Sequence, residues 1–65
     1  MQITYKKLWK ILIDREMNKT QLKDAAGVSS NVIAKLGKNE PVSIETLIKI
    51  CVALSVDIGD IIEIK

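Results

Sequence analysis

A polar stripe on one predicted helix carries the side chains best suited to chemistry in this chain. Asn31, Ala34, Lys35 and Lys38 recur at i, i+3, i+4 and i+7 and so share one helix face, with Ser30 just before them. Amide and ammonium groups can donate hydrogen bonds to base edges and phosphates, and small Ser and Ala side chains allow close approach. The stripe therefore suits a nucleic-acid groove, although ordinary solvent-exposed helix faces can carry the same pattern.

The helix that carries this stripe has a recognisable start and an apolar side. Ser29 is a favourable N-cap, because its hydroxyl can accept a hydrogen bond from a free backbone N–H in the first turn. Val32, Ile33 and Leu36 follow on the side opposite the polar stripe. The spacing predicts a helix over residues 30–37 that packs this apolar side against a core.

A second short helix precedes it, separated by a tight turn. Asn18 is a favourable N-cap, and Gln21 stands three residues later, where its side chain can complete a capping box. Gly27 is the residue best able to adopt the left-handed conformation after a helix. We therefore expect a helix over residues 19–26 and a helix-turn-helix unit, whose second helix can lie in the DNA major groove.

Three further helical segments are predicted around this unit. The first runs from residue 4 or 5 to about residue 16, the fourth begins after the cap Ser43, and a capped final turn covers residues 58–62. The buried face of the fourth helix is predicted to be Ile44, Leu47, Ile48, Cys51 and Leu54. Residues 61–64 fit either a fraying helix end or a short strand that pairs with residues 2–4.

Charge is unevenly distributed along the chain. Residues 1–38 hold eight basic and three acidic side chains, a balance of +5, whereas residues 39–65 hold two basic and five acidic side chains, a balance of −3. A basic half suits a polyanionic partner, and an acidic half turned away would help to orient it. A solvated surface with uneven charge would give the same totals.

Composition argues against catalysis, metal binding and membrane insertion. The chain has no histidine and a single cysteine, Cys51, which we expect to be a small core residue, so a zinc site has almost no ligands and a disulfide has no partner. Asp57 and Asp60 fit the capping of a helix start better than a catalytic carboxylate pair. No apolar run approaches the roughly 20 residues that cross a bilayer. We expect one domain, residues 1–65, in the cytoplasm, with no enzymatic activity, metal or cofactor.

The chain resembles the lambda-repressor-like, Cro-type helix-turn-helix family over roughly residues 5–62. The segments that carry the resemblance are residues 18–22, 26–29, 32–36, 43–47, 50 and 53–56. The resemblance implies a compact all-α bundle of five helices, with the helix-turn-helix in helices two and three and helix three as the recognition helix. Double-stranded DNA is the implied partner.

Position by position, the resemblance implies two sets of DNA contacts. Base contacts would come from Ser30, Asn31, Ala34 and Lys35. Phosphate contacts would come from Lys19, Lys23, Lys38 and Asn39. Many relatives also pair an Arg in helix one with a Glu at the end of helix three, whereas this chain has Leu12 and Gly37 there, so an apolar contact is expected instead.

The resulting hypothesis is a sequence-specific DNA-binding transcriptional regulator, a repressor of prokaryotic or phage type. A homodimer on a palindromic site is expected from geometry, with half-sites about one helical turn apart. Trp9, Ile13 and residues 61–64 are the candidate dimer contacts, and no membrane or small-molecule substrate is expected. The alternative is an interaction module, such as an antitoxin or regulatory adaptor, that retains the helix-turn-helix shape. It gains support if the outer face of helix three is interrupted by acidic side chains or packs against another subunit.

Overall fold

The computed structural model describes residues 2–65 as four α-helices, one short 3-10 turn and a two-stranded sheet. The helices are α1 (Lys6–Asp14), α2 (Lys19–Ala26), α3 (Ser30–Gly37) and α4 (Ile44–Leu54). The strands are β1 (Ile3–Thr4) and β2 (Glu63–Ile64), and the 3-10 turn covers Ile58–Asp60. Because α2 packs on α4 and contacts α3 across the turn, the helix-turn-helix is part of the bundle and not an appendage.

The prediction of a fifth helix is wrong, and the predicted all-α fold lacks the small sheet that the structure contains. The segment after α4 makes only one turn, in which Asp60 N donates to Asp57 O at 2.9 Å and Ile61 N donates to Ile58 O at 3.1 Å. Gly59 is a poor helix former, so little favours extending this turn. The chain then runs as β2 antiparallel to β1, with Ile64 opposite Ile3, which confirms the strand alternative for the tail.

The helix-turn-helix forms through local interactions that the sequence predicted. Asn18 Oδ1 accepts from Gln21 N at 2.7 Å, and Gln21 Oε1 accepts from Asn18 N at 2.9 Å, which completes the capping box. Gly27 ends α2 with φ of 67°, in the left-handed region. Ser29 Oγ then accepts from Val32 N at 3.3 Å and starts α3. Two capped ends therefore fix the angle at which α3 leaves α2.

The buried core is almost entirely aliphatic and draws on every α-helix. Its members are Tyr5, Leu8, Leu12, Leu22, Leu36, Leu47, Ile50, Leu54 and Ile61. The predicted buried face of α4 is wrong for Ile44 and Ile48, which are 62% and 53% exposed, and it missed Ile50. Because α4 is apolar on nearly all sides, periodicity alone does not show which stripe meets α2.

The ends of the bundle are held by side chains that reach across it. Arg15 Nη1, just after α1, donates to the carbonyl oxygen of Leu54 at 2.6 Å. That carbonyl is at the last residue of α4, where backbone oxygens lack helical partners and a cation is favourable. Ser55 follows in the left-handed conformation with φ of 56°. Arg15 therefore links the start of the connection after α1 to the end of α4.

Candidate nucleic-acid interface

The outer face of α3 is polar, small and exposed. Ser30, Asn31, Ala34 and Lys35, the four residues predicted to contact bases, are all solvent-exposed. On the opposite side Leu36 is fully buried in the core. The core therefore holds the helix by one side while the predicted contact residues project from the other.

A shallow depression joins the start of α2 to the start of α3. It has a volume of about 130 Å³ and is lined by Lys19, Thr20, Lys23, Ser30 and Ile33. Lys23 is half-buried there, so its long stem lies along the protein while its ammonium can extend outward. The structure thus brings three predicted contact residues together beside two helix N-termini. Such ends carry free backbone N–H groups that favour anions.

The ammonium of Lys19 lies against an aromatic ring from α1. Its Nζ is 4.8 Å from the centroid of the Trp9 ring, within the range of a cation–π interaction. A Cβ built on Gly37 would lie 3.8 Å from the same Nζ, so the charge also sits beside the last residue of α3. A cation is favourable at the C-terminal end of a helix. Three helices therefore meet at this ammonium.

The Lys19 ammonium lies between α1 and α3, the two helices that relatives are expected to link by an Arg–Glu pair. The matching residues here are Leu12, which is buried in the core, and Gly37, which has no side chain. Leu12 packs in the core with the other buried side chains, but the predicted apolar contact with residue 37 is not made by a side chain, because that residue is glycine. A Cβ at Gly37 would meet the ammonium of Lys19 at ordinary van der Waals distance, so this glycine is in contact range of the Lys19 charge.

The other two predicted phosphate-contact residues lie in the connection after α3. Lys38 and Asn39 line a second depression of about 500 Å³ together with Gln2, Ile3 and Pro41. Both are exposed, so their side chains can be approached from solvent. They form a group separate from the depression between α2 and α3.

Tyr5 anchors this connection from the start of α1. Its backbone N–H donates to Asn39 Oδ1 at 3.2 Å, and its hydroxyl donates to the carbonyl oxygen of Glu40 at 2.8 Å. Asn39 has a φ of 58°, a conformation that Asn tolerates better than most residues. Because its side-chain oxygen is engaged, only the amide nitrogen of Asn39 is free to meet a phosphate.

Burial shifts two ionisable groups near the core. It raises the pKa of the Tyr5 hydroxyl, so this group stays a hydrogen-bond donor at neutral pH. Burial also raises the pKa of the Cys51 thiol, with the nearby charges of Asp57 and Asp60 acting in the same direction. Cys51 is half-buried and packs against the core. The thiol is therefore held in its less nucleophilic form, in keeping with a packing role.

Several residues at this interface were not predicted from the sequence. Thr20 had a local signal, since it follows Lys19 in the first turn of α2. Gln2 and Tyr5 had none, because their neighbours in the connection after α3 are more than 30 residues away along the chain. The sequence indicates Trp9 only as a candidate dimer contact, and the contact of its ring with Lys19 requires the fold to be known.

Metal binding and membrane insertion are two further possibilities for the described residues. Within residues 2–65, no cluster of three or more Cys, Asp or Glu side chains is placed to hold a metal ion. None of the helices in this range is both long enough and apolar enough to span a bilayer.

These features define a helix-turn-helix domain with an exposed, polar and basic second helix. The Cro/C1-type HTH DNA-binding domain family matches residues 7–65, and the chain belongs to this family. Its fold is similar to that of the crystal structure of the transcriptional regulator VanUg, with a TM-score of 0.91 and 56% sequence identity over 95% of this chain and 83% of that one. No curated protein matches. The family predicted from the sequence is confirmed, and it makes this chain a DNA-binding regulatory domain.

Proposed function

We propose that the protein is a sequence-specific transcriptional repressor of prokaryotic or phage type, acting in the cytoplasm on double-stranded DNA. The recognition helix α3 would enter the major groove, with Asn31 and Lys35 contacting base edges. Ser30 would contact the same bases or a phosphate, and Ala34 would meet a thymine methyl group. Membership of a DNA-binding domain family and similarity to a transcriptional regulator support this proposal.

The distribution of exposed apolar side chains carries the argument for DNA over a protein partner at α3. Among residues 2–65, the exposed large hydrophobic side chains are Ile13, Ile44, Ile48, Val52, Ile58 and Ile64, and none of them belongs to α2 or α3. Protein interfaces centre on apolar and aromatic groups. A small, polar, basic face instead suits a hydrated and charged groove. This observation weighs against the adaptor alternative.

Phosphate contacts would supply most of the affinity. Lys19 and Lys23 would contact one strand from the depression between α2 and α3, and Lys38 with the amide nitrogen of Asn39 would contact a second position. Each neutralised phosphate releases counterions, so the logarithm of the affinity should fall with the logarithm of the salt concentration by about 0.9 per contact. Two such groups on either side of α3 would set its orientation in the groove.

A homodimer would extend recognition to two half-sites. One helix of this length reaches only a few base pairs, and a two-fold dimer on a palindromic operator doubles the number of contacts. Repression would follow because a bound dimer occupies DNA that transcription requires. No catalytic step is part of this proposal.

Selection of bound sites from random duplex DNA, followed by titrations across a range of salt concentrations, tests the proposed function. We expect an enriched, palindromic motif and an affinity that falls steeply with salt. A pool without an enriched motif, together with a flat salt response, would contradict the proposal and favour the interaction-module alternative.

A further inference from the structure

Trp9 lies on α1, outside the helix-turn-helix, and its ring meets the side chain of the first residue of α2. The ring centroid is 4.8 Å from Lys19 Nζ, within the range of about 6 Å for a cation–π interaction. Trp9 is half-buried and packs against the hydrophobic core. The core therefore fixes the position of the ring, and the lysine charge lies against a group that is itself held in place.

Lys19 is exposed, and it is one of the residues around the depression between α2 and α3. An exposed lysine samples many rotamers, and it loses this freedom when its ammonium binds a phosphate. The contact with Trp9 orders the side chain before any DNA is present. Part of the entropy cost of binding is therefore absent, and the affinity for phosphate is higher.

The ammonium keeps its capacity to bind an anion while it lies over the ring. An ammonium has three N–H donors, and the ring engages one side of the group. A Cβ on Gly37 would lie 3.8 Å from the same Nζ, so the last residue of α3 bounds a second side. Because Lys19 is exposed to solvent, a phosphate can still approach it. The ring positions the charge and does not withdraw it from DNA.

We infer that Trp9 is a positioning residue for DNA binding, because its ring holds the Lys19 ammonium in place for a phosphate of the half-site. The inference rests on the proposed function and adds to it a residue that itself contacts no DNA. Trp9 acts through Lys19, so its effect on affinity requires the lysine to be present. The contact also connects α1 to the strength of DNA binding.

A double-mutant cycle measured on DNA binding tests this dependence. The probe is a duplex with one half-site of the motif that the wild type selects, and the proteins are the wild type, Trp9→Leu, Lys19→Met and the double variant. We expect Trp9→Leu to weaken binding by about 2- to 10-fold when Lys19 is present, the cost of ordering one flexible side chain at an interface. In the Lys19→Met background the same substitution should have no further effect.

Two further variants separate positioning from general damage to the fold. Lys23→Met removes another lysine of the same depression, and in that background Trp9→Leu should weaken binding as much as it does in the wild type. Trp9→Phe keeps an aromatic face and should recover part of the affinity that Trp9→Leu loses. An equal effect of Trp9→Leu with and without Lys19→Met, its loss in the Lys23→Met background, or no recovery in Trp9→Phe would each overturn the inference.

Trp9 is the only tryptophan of the chain, so its fluorescence reports the contact without a label. A phosphate bound to the ammonium partly neutralises the charge beside the ring, and we expect the emission of the wild type to change when the half-site duplex is added. Lys19→Met, titrated to the same occupancy by DNA, should show a much smaller change. An equal change in the two proteins would contradict a phosphate bound by Lys19 at the ring.

The salt response separates this inference from the proposed function. On the isolated half-site, Lys19→Met should make the slope of log affinity against log salt shallower by about 0.9. If the wild type selects a motif but Lys19→Met keeps the full slope, Lys19 contacts no phosphate, and the inference fails while the proposed function stands. If the wild type selects no motif and binds no duplex, both fail.

Discussion

The ammonium of Lys19 lies 4.8 Å from the centroid of the Trp9 ring, so the first residue of α2 is held by α1. The same ammonium is close to Gly37 at the end of α3. It therefore joins three helices at a place where relatives are expected to use an Arg–Glu ion pair. Because two of these helices form the helix-turn-helix, the contact links the position of α3 to α1.

A double-mutant cycle should detect coupling between Trp9 and Lys19. Trp9→Leu and Lys19→Met should each destabilise the protein, and their combination should cost about 0.5–1 kcal/mol less than the sum, the typical strength of an exposed cation–π pair. Urea unfolding of the four proteins measures this. Lys10→Met, at an exposed lysine on α1, is the control and should be additive with Trp9→Leu. Additivity of Lys19→Met as well would show that the ring and the ammonium do not interact in solution.

Gly27→Ala should destabilise the protein through its backbone alone. Gly27 has a φ of 67°, and a Cβ there would meet no atom within 4 Å, so the cost is the left-handed conformation, about 1–2 kcal/mol. Gly59→Ala is the matched control, since its Cβ would also meet open space but its φ lies outside the left-handed region. We expect Gly59→Ala to be neutral or slightly stabilising in thermal unfolding. Equal effects of the two substitutions would rule out backbone strain as the cause.

Tyr5→Phe should lower the free energy of unfolding by about 1 kcal/mol at neutral pH, because it removes the 2.8 Å hydrogen bond to Glu40. The effect should also depend on pH. Burial raises the folded pKa of Tyr5, so above about pH 10 the unfolded chain loses the proton before the folded one does. Stability from Tyr5 is therefore complete below pH 10 and lost at higher pH.

Urea unfolding of the wild type and Tyr5→Phe between pH 7 and 11 measures this difference. Groups common to both proteins contribute alike, so their contribution cancels in the comparison. A difference that stays constant or grows above pH 10 would contradict the assignment.

Lys23→Ala and Lys38→Ala should weaken binding to all DNA sequences alike. Each would remove one phosphate contact per half-site, so the slope of log affinity against log salt measured on an isolated half-site should become shallower by about 0.9, with the enriched motif unchanged. Lys49→Ala, at an exposed lysine of α4, is the control and should leave half-site binding and the slope unaltered. A change in sequence preference without a change in slope would show that the substituted lysine contacts a base and not a phosphate.

The local parts of the fold were predictable because their interactions span only a few residues. The capping box of Asn18 and Gln21, the left-handed Gly27 and the caps Ser29 and Ser43 all involve partners within one helical turn. These signals place the start of α3, and hence the exposed face on which Asn31 and Lys35 lie. The bounds of α3 and its exposed face could therefore be predicted from the sequence.

The parts that were not predictable depend on how distant segments pack. Tyr5 and Asn39 are 34 residues apart, and nothing in either position indicates the other. The sequence pattern places the exposed stripe of α4 in the core, because Ile48 and Ile50 are equally apolar and only the packing on α2 distinguishes them. For the same reason, the sequence does not show that Ile44, Ile48 and Val52 are exposed on α4.

The most direct test of the central claim, that the outer face of α3 recognises bases, is to compare the sites selected from random DNA by the wild type, Asn31→Ala and Lys49→Ala. We expect Asn31→Ala to lose its preference at one base pair in each half-site and to keep the rest of the motif, whereas Lys49→Ala should retain the full set of base preferences within each half-site. A motif that is identical for the wild type and Asn31→Ala would contradict it.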